Sequence, residues 1–486
     1  MRNTDNGHRS AEEDTAVLEG TAEGENRAHE TRRPRSQWTF NYTDVGNAQR
    51  LVDAHGASII YCPSAGGWRI YDGTKWKVDD VELMEWLAKE TVARIFDEAW
   101  RLPEGATRTD LLKHAVRSEG CQRIKAMVTL AESEPGIPIV PAQLDTDPFL
   151  LNCHNGTVDL RTGELQPHRR EDLITKLAPV DYDFTASSRL WDGFLDRVTG
   201  GSQELRNFLQ RAAGYSLTGS TAEEKLFLVH GPGASGKTSF IEALKAAMGD
   251  YAVTADFETF IKRRDVGTPR NDVARLAGAR LVVSVEVEEG RHLAEGLVKL
   301  LVGGDTVAAR FLFREAFEFV PAFKLWLVAN HAPRVGHEDD AMWRRILLVP
   351  FPYSIPKDER DPEVKERLRH GPEVKAAVLA WAVQGCLWWQ SSGLGVPPVV
   401  ETATEAYREE MDPLAEWLAD CCELAPDAWA LAGALRESYE GWAGERGERG
   451  LLRGRAWGQR LRAAGCTPAT TGGGLGRGWR GIRLKG

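Results

Sequence analysis

The sequence predicts an α/β fold, and three observations support this class. From about residue 191 to 355, helical and strand patterns alternate along the chain, which is the pattern of an α/β domain. The apolar run Leu226–Val229 is typical of a buried strand, and a glycine-rich turn and an amphipathic helix follow it directly. Two more buried-strand patterns, Leu281–Val285 and Lys324–Ala329, come later in the same region.

Composition limits the class of protein. The chain has 486 residues and a mass of 53.8 kDa, which predicts about three domains. Its net charge of -10 excludes a chain that is basic throughout, although a basic face on an acidic body remains compatible with nucleic-acid binding. The 7 cysteines include no CxxC pair, and no apolar run approaches the ~20 residues that span a bilayer. We therefore expect a cytoplasmic protein with reduced thiols.

Changes in composition along the chain predict its domains. Residues 1–36 are rich in charged and polar residues and poor in aromatic ones, which predicts a disordered tail. Short strand patterns from Ile59 to Asp80, followed by helical patterns, indicate a mixed domain. The predicted domains are an α+β N-terminal domain at 37–190, the α/β core at 191–360, a helical extension and linker at 361–400, and a small C-terminal domain at 404–486.

One motif stands between the first core strand and its helix. HGPGASGKTSF contains GxxxxGK[ST] without a mismatch, and its glycines let backbone N–H groups approach phosphate oxygens at a helix N-terminus. Lys237 would neutralise the β- and γ-phosphates, and the Thr238 hydroxyl would ligate Mg²⁺. The motif predicts a site for ATP and Mg²⁺; the alternative is a glycine-rich turn without a ligand. The predicted nucleotide-binding residues are Gly231, Pro232, Gly233, Ala234, Ser235, Gly236, Lys237, Thr238 and Ser239.

Polar residues follow the next two core strands. Glu286 and Glu288 come directly after Val285, and their spacing puts them on one face if the strand continues. ATP hydrolysis needs a carboxylate for Mg²⁺ and a group that activates water. We assign Glu286 first and Glu288 second to these tasks, with a solvated acidic turn as the alternative. Asn330 follows the third strand, where its amide would orient water or cap the strand.

Two arginines, Arg344 and Arg345, precede the last apolar strand pattern of the core. An arginine can stabilise a transferring phosphoryl group, often from a neighbouring subunit. If one of them acts in this way, the chain forms a ring whose sites are shared between subunits. A salt bridge at the surface is the alternative role.

The order of these motifs resembles that of superfamily-3 helicases, specifically the helicase part of phage and plasmid primase-helicases. The resemblance covers about residues 145–486 and includes an upstream segment similar to a D5-like N-terminal helicase domain. The matching residues are Gly231–Thr238, Glu286, Gly303-Gly304-Asp305, Asn330-His331 and Trp343-Arg344-Arg345.

This resemblance implies a P-loop NTPase core of the AAA+ type, a hexameric ring, and ATP-driven translocation on single-stranded DNA. It implies that Asn330 is a sensor and that Arg345 matches the arginine finger better than Arg344. It also implies a DNA-contacting hairpin at 310–321. In this hairpin Arg310 and Arg314 would face phosphates in a central pore.

Relatives of full length carry a primase domain ahead of the helicase. The segment before Trp38 is too short to fold such a domain. We therefore expect no priming chemistry from this chain, and a separate primase becomes a candidate partner.

The C-terminal domain has a basic character. After Glu448 the sequence contains nine Arg and Lys residues and no acidic one, which is the electrostatic pattern of nucleic-acid binding. Helical patterns followed by a basic glycine-rich turn and strand predict a winged-helix-like domain; the alternative is a disordered tail of the RGG type. The predicted DNA contacts of this domain are Arg455, Arg460, Arg477 and Arg480.

Taken together, the motifs predict an ATP-dependent DNA helicase that acts in phage or plasmid replication in a bacterial cytoplasm. Single-stranded and origin DNA would be its partners. The alternative function is an ATP-switched DNA-binding initiator or loader that assembles without translocating.

Overall fold

A computed structural model describes residues 40–262, 270–285, 290–311, 315–336, 339–445, 454–470 and 476–485. The helices are α1 (Asp44–His55), α2 (Leu83–Arg101), α3 (Ala106–Ser118), α4 (Cys121–Ala131), α5 (Arg189–Val198), α6 (Gln203–Leu217), α7 (Lys237–Met248), α8 (Asn271–Ala274), α9 (Glu295–Gly303), α10 (Asp340–Trp343), α11 (Pro362–His370), α12 (Pro372–Ser392), α13 (Pro398–Glu410), α14 (Pro413–Cys421), α15 (Ala432–Glu445) and α16 (Gly454–Ala463). The strands are β1 (Ile59–Cys62), β2 (Gly67–Tyr71), β3 (Trp76–Val78), β4 (Leu150–Cys153), β5 (Gly156–Asp159), β6 (Glu164–Gln166), β7 (Leu226–His230), β8 (Ala252–Thr254), β9 (Leu281–Val285), β10 (Val307–Arg310), β11 (Ala316–Phe319), β12 (Lys324–Ala329), β13 (Ile346–Pro350), β14 (Cys422–Leu431), β15 (Thr467–Thr470) and β16 (Arg477–Leu484).

The chain divides into two compact units. The described part of the first unit is 40–61 with 79–138, and the second unit contains 62–78 and the chain from residue 139 onward. Helices α1 to α4 form most of the first unit, where apolar residues such as Ile95 and Leu111 are buried. Residues 139–190 belong to the same compact unit as the central sheet. The predicted domain limits, including the boundary at 190, stay a prediction.

The second unit contains a five-stranded sheet in the order β13-β7-β12-β9-β8, and every pairing in it is parallel. Its strands are apolar runs because both faces are covered, as is usual for parallel sheets. Phe227 and Val229 of β7 pack on the side of α7 and α12, whereas Leu226 and Leu228 belong to the core on the opposite face. This confirms the α/β class.

Helix α13 begins at Pro398, and Pro397 precedes it as the N-cap residue. Proline at the first helical position has a preset φ and lacks an N–H that would have no partner there anyway. The helix packs on the core through Tyr407, whose hydroxyl donates to the Pro333 carbonyl.

The C-terminal part of the second unit has the order α14, β14, α15, α16, β15, β16. Its three strands form an antiparallel sheet with β16 in the middle, between β14 and β15. One face of this sheet covers a core that contains Trp417, Tyr439, Trp457, Trp479 and Ile482. The predicted helices and the strand that follows them are therefore present. This strand, β16, is the central strand of the sheet.

Candidate active site

The glycine-rich loop connects the end of β7 to the start of α7, as the sequence predicts. Two of its glycines are required by local geometry. A Cβ atom at Gly231 would lie 2.2 Å from the Phe351 carbonyl oxygen, and one at Gly236 would lie 2.5 Å from a methyl carbon of Val198. Gly236 also has a φ of 89°, in the left-handed region that favours glycine. Close packing of the loop backbone therefore fixes these positions.

The ammonium group of Lys237 lies inside this loop. It donates to the carbonyl oxygens of Gly231 at 2.7 Å and Pro232 at 2.8 Å, and to the Ser235 hydroxyl at 3.2 Å. The side chain is buried, and burial lowers the pKa of Lys237 from its ordinary value. An anion bound in the loop would offset the free-energy cost of burying this charge, because it would be a counter-ion for the ammonium group.

Four strands of the central sheet end at the same edge. His230 of β7 pairs with Ala329 of β12 and with Pro350 of β13, and Val285 of β9 pairs with Val328 of β12. The glycine-rich loop, Asn330 and the end of β9 therefore meet at one edge of the sheet. This is the edge at which open α/β sheets bind ligands.

Asn330 is exposed and lies directly after β12 at this edge. Its backbone makes a hydrogen bond with the neighbouring His230 side chain, although burial still lowers the pKa of His230. Glu286 and Glu288 lie outside the described residues. Among the described residues no group of three or more His, Cys, Asp or Glu side chains could hold a metal ion.

A cavity of about 850 Å³ opens beside the loop, within the ~300–1,000 Å³ typical of ligand sites. One side is the loop from Gly233 to Ser239, together with Val328, Ala329 and Asn330. The opposite side consists of α5 and α11. Their lining side chains are Arg189, Leu190, Phe194, Arg197, Val364, Lys365 and Leu368. The cavity thus joins the glycine-rich loop to a slot between α5 and α11. Apolar side chains line this slot together with the cations of Arg189, Arg197 and Lys365.

The segment after β13 closes the cavity, and sequence reasoning missed this contribution. The Ser354 hydroxyl donates to the Gly233 carbonyl and the Ile355 N–H donates to the Ala234 carbonyl, both at 2.9 Å. Further along, Glu359 forms an ion pair with Arg197 of α5 at 3.3 Å. No motif marks these residues, because their role depends on tertiary contacts with the loop.

Arg344 and Arg345 lie before β13, at the edge of the sheet opposite the loop, because β13 and β7 are parallel. Arg345 is buried: its guanidinium donates to Glu224 Oε2 at 2.7 Å and to the Ala341 carbonyl at 2.8 Å. The Arg344 side chain is 66% exposed and its guanidinium lies 3.9 Å from Glu224. In one chain, neither arginine is near the cavity residues.

The predicted hairpin is present as β10 and β11, whose first pair is Val307 with Phe319 and whose last pair is Arg310 with Ala316. Arg310 is exposed at the end of β10. In this hairpin the Phe311 ring stacks on the Phe317 ring, with the two centroids 5.5 Å apart. Arg314 lies outside the described residues.

The predicted cations of the C-terminal sheet region differ in their surroundings. Arg477 and Arg480 of β16 are exposed, whereas Arg460 of α16 forms an ion pair with Asp412 at 3.1 Å. Arg455 lies in α16, and its side chain is outside the described part of the chain. Of the predicted cations whose side chains are described here, the two exposed ones are therefore on the strand.

Residues 48–200 match the family described as D5 N terminal like. A protein of Acanthamoeba polyphaga mimivirus named a putative helicase is 26% identical over 300 residues, which are 57% of this chain and 31% of that protein. The superfamily-3 resemblance is consistent with these names.

Two other similar proteins are also viral. A putative helicase of Frog virus 3 is 24% identical over 393 residues, 64% of this chain and 40% of that protein. A putative primase of African swine fever virus is 23% identical over 306 residues, 59% of this chain and 32% of the viral protein. The chain thus spans between about a third and two-fifths of these relatives.

Among solved structures, the apo C-terminal region of NrS-1 is similar over 87% of both chains, with 10% identity and a TM-score of 0.49. No helix within the described residues is long and apolar enough to cross a membrane.

Proposed function

We propose that this protein is an ATP-dependent DNA helicase that acts in phage or plasmid DNA replication and moves along single-stranded DNA as a ring. The observation that carries this proposal is the cavity of about 850 Å³ at the carboxyl edge of the parallel sheet. In this cavity, the loop holds a lysine that donates hydrogen bonds to carbonyl oxygens, and a slot next to it is lined by apolar side chains. The volume of the cavity is in the range of sites that bind small ligands. The viral relatives named as helicases support the same reading.

In this proposal the phosphates of ATP lie on the loop from Gly231 to Gly236 and on the N-terminus of α7. Lys237 exchanges the Gly231 and Pro232 carbonyls for β- and γ-phosphate oxygens. The exposed Thr238 hydroxyl, which lines the same cavity, would hold Mg²⁺ together with Glu286, and the ion would neutralise charge on the phosphates. The base lies in the slot between α5 and α11.

For hydrolysis, water attacks the γ-phosphorus and the bond to the leaving ADP oxygen breaks. Glu286 or Glu288 takes the proton of this water, and Asn330 orients it from the end of the neighbouring strand. The position of Asn330 in the cavity wall supports its role. An arginine supplied by a second subunit completes the site.

The structure and the family resemblance favour different arginines for that last role. A role for Arg345 in a neighbouring site requires its ion pair with Glu224 to open, whereas Arg344 can reach outward without such a rearrangement. The resemblance to superfamily-3 helicases favours Arg345. The two residues should differ in their effects on stability and turnover when each is replaced by alanine.

Nucleic acid would contact the β10–β11 hairpin and the C-terminal region. Arg310 is exposed at the hairpin, and Arg477 and Arg480 are exposed on β16. The order α14, β14, α15, α16, β15, β16 with the sheet order β14-β16-β15 supports a winged-helix-like DNA-binding domain.

The test is ATP turnover with and without single-stranded DNA, together with unwinding of forked duplexes that carry a 3′ or a 5′ tail. We expect DNA to stimulate turnover, one fork polarity to be unwound, and Lys237→Ala to abolish both activities. Nucleotide-dependent assembly on DNA without turnover would instead indicate an initiator or loader. No nucleotide binding by the wild-type protein would refute the proposal.

A further inference from the structure

Among the described residues, the core of the C-terminal region covers only one face of the three-stranded sheet of β14, β15 and β16. Trp479 and Ile482 of the central strand β16 point into that core and are buried. Arg480 lies between them and points to the opposite face, where it pairs across the sheet with Trp429 of β14 and Thr467 of β15. Side chains at paired positions share a face. We call this set, with Gly478, the open face.

An aromatic ring lies on the open face. A Cβ atom at Gly478 would come within 2.7 Å and 2.8 Å of two ring atoms of Trp429, so the indole lies directly over the backbone of β16. Trp429 is half-buried, since one side of its ring is against the strand. Glycine at 478 is what allows this contact, and the arrangement fixes the indole as a flat surface on the sheet.

The cation next to this ring is exposed. Arg480 is two residues from Gly478 on β16 and pairs with Trp429, whereas Arg477, which is also exposed, alternates to the face of Trp479. Arg483 forms an ion pair with Glu423 of β14 at 2.6 Å, so this end of the face is close to neutral. Asp427 of β14 is also exposed and is the acidic group that a ligand would have to avoid.

The two arginines of helix α16 whose side chains are described both have a partner. Arg460 is engaged by Asp412 at 3.1 Å, and the Arg462 guanidinium lies over the Trp479 ring, 5.7 Å from its centroid. A helix that inserts into a major groove needs free side chains to reach base edges and phosphates. The charges of this region therefore favour the strand over the helix as its binding surface.

We propose that the open face binds single-stranded nucleic acid, with an unpaired base stacked on Trp429 and an adjacent phosphate on Arg480. This inference rests on the proposed function, since it names the form of DNA that the C-terminal region holds. Bases inside a duplex are already stacked on each other and cannot lie on the indole. Flat aromatic surfaces flanked by cations are the usual means of binding single strands without sequence preference.

The test is the affinity of the full-length protein for a fluorescent oligothymidylate and for a duplex of the same length, measured by anisotropy over a range of salt concentrations. We expect the single strand to bind more tightly. Trp429→Ala should weaken binding of the single strand about 5- to 150-fold, which is the range for loss of one stacked base, and leave the salt dependence unchanged. Arg480→Ala should instead lower the slope of log K against log salt by about 0.7.

Two controls keep the test independent of misfolding. Trp429→Phe retains an aromatic ring and should keep most of the affinity, and Trp100→Ala removes a tryptophan that is 62% exposed in the other compact unit and should change nothing. In the wild-type protein, a 5-bromouracil oligonucleotide should crosslink at Trp429 on irradiation, as read by mass spectrometry of the peptides.

Equal affinity of wild type and Trp429→Ala for the single strand, or a crosslink elsewhere only, would overturn this inference and leave the helicase proposal intact. A preference for duplex that Trp429→Ala does not alter would have the same meaning. If the wild-type protein neither binds DNA nor shows DNA-stimulated turnover, the proposed function itself fails.

Discussion

Replacing Arg344 and Arg345 one at a time distinguishes two roles for an arginine before β13. One role is to stabilise the fold of its own chain, and the other is to act on the nucleotide of a neighbouring subunit. Arg345 makes two charge-assisted hydrogen bonds, to Glu224 and to the Ala341 carbonyl, and its side chain is only 10% exposed. Each such bond contributes about 1.5–3 kcal/mol when fully buried. Because Glu224 is 43% exposed and can be resolvated, we discount this to a total of about 2 kcal/mol for Arg345→Ala.

Arg344 provides the matched comparison. Its guanidinium is mostly exposed and lies 3.9 Å from the same carboxylate, so Arg344→Ala should change the free energy of unfolding by no more than about 0.5 kcal/mol. Urea denaturation of both variants followed by circular dichroism measures the difference. If Arg344 is the residue that stabilises the phosphoryl group of a neighbour, its loss lowers ATP turnover by about 10³-fold or more while the protein remains as stable as wild type.

Subunit mixing then tests the action in trans. A chain with Arg344→Ala has an intact loop, and a chain with Lys237→Ala has an intact arginine. Mixing the two inactive proteins should restore turnover at those interfaces where an intact loop meets an intact arginine. Glu224→Gln offers a further comparison, because it weakens the pair but retains Arg345. Turnover that survives Arg344→Ala, and is raised by Glu224→Gln, would refute our reasoning and identify Arg345 as the residue that acts across the interface.

Three other predictions concern the loop and the core. Gly236→Ala should destabilise the protein by at least ~1–2 kcal/mol, from its left-handed φ alone, and abolish nucleotide binding; Gly233→Ala, where a Cβ meets nothing within 4 Å, is the control, and equal effects in calorimetry would contradict the argument. Asn330→Ala should retain nucleotide affinity but lower turnover, and a loss of affinity alone would exclude its role in orienting water. Burial holds the pKa of Lys324 well below its ordinary value, so the unfolded chain binds this proton more tightly and stability rises with pH up to about 10. Lys324→Met should remove that rise, as measured by unfolding between pH 7 and 10, and an unchanged slope would show that other groups cause it.

The core strands could be predicted because each is a continuous apolar run. Leu281–Val285 and Lys324–Ala329 are strands with those same limits, and Leu226–Val229 needs only His230 to complete β7. Burial on both faces of a parallel sheet requires this composition, so a local pattern contains the information. The loop was predictable for a related reason, since Gly231 and Gly236 meet steric demands that only glycine satisfies.

The other walls of the cavity could not be predicted in this way. Phe194 of α5 and Leu368 of α11 are far from the loop in sequence and carry no motif, although both line the cavity. Likewise, Arg345 and its partner Glu224 are separated by 121 residues, so the sequence identified the arginine but not the carboxylate that binds it. Contacts of this kind depend on which helices pack on which face of the sheet, and no local periodicity encodes that choice.

The direction of the strands determines whether the loop and the two arginines of one chain can act on the same nucleotide. The loop follows the carboxyl end of β7, and Arg344 and Arg345 precede the amino end of the adjacent parallel strand β13. Five residues of strand at ~3.3 Å each separate these two ends by roughly 15 Å. No rotamer change within one chain brings either guanidinium to the γ-phosphate position across that distance. If Arg344 or Arg345 takes part in hydrolysis, it must therefore act on another copy of the chain, and a site of this kind can work only in an assembly in which the amino edge of one sheet faces the carboxyl edge of the next.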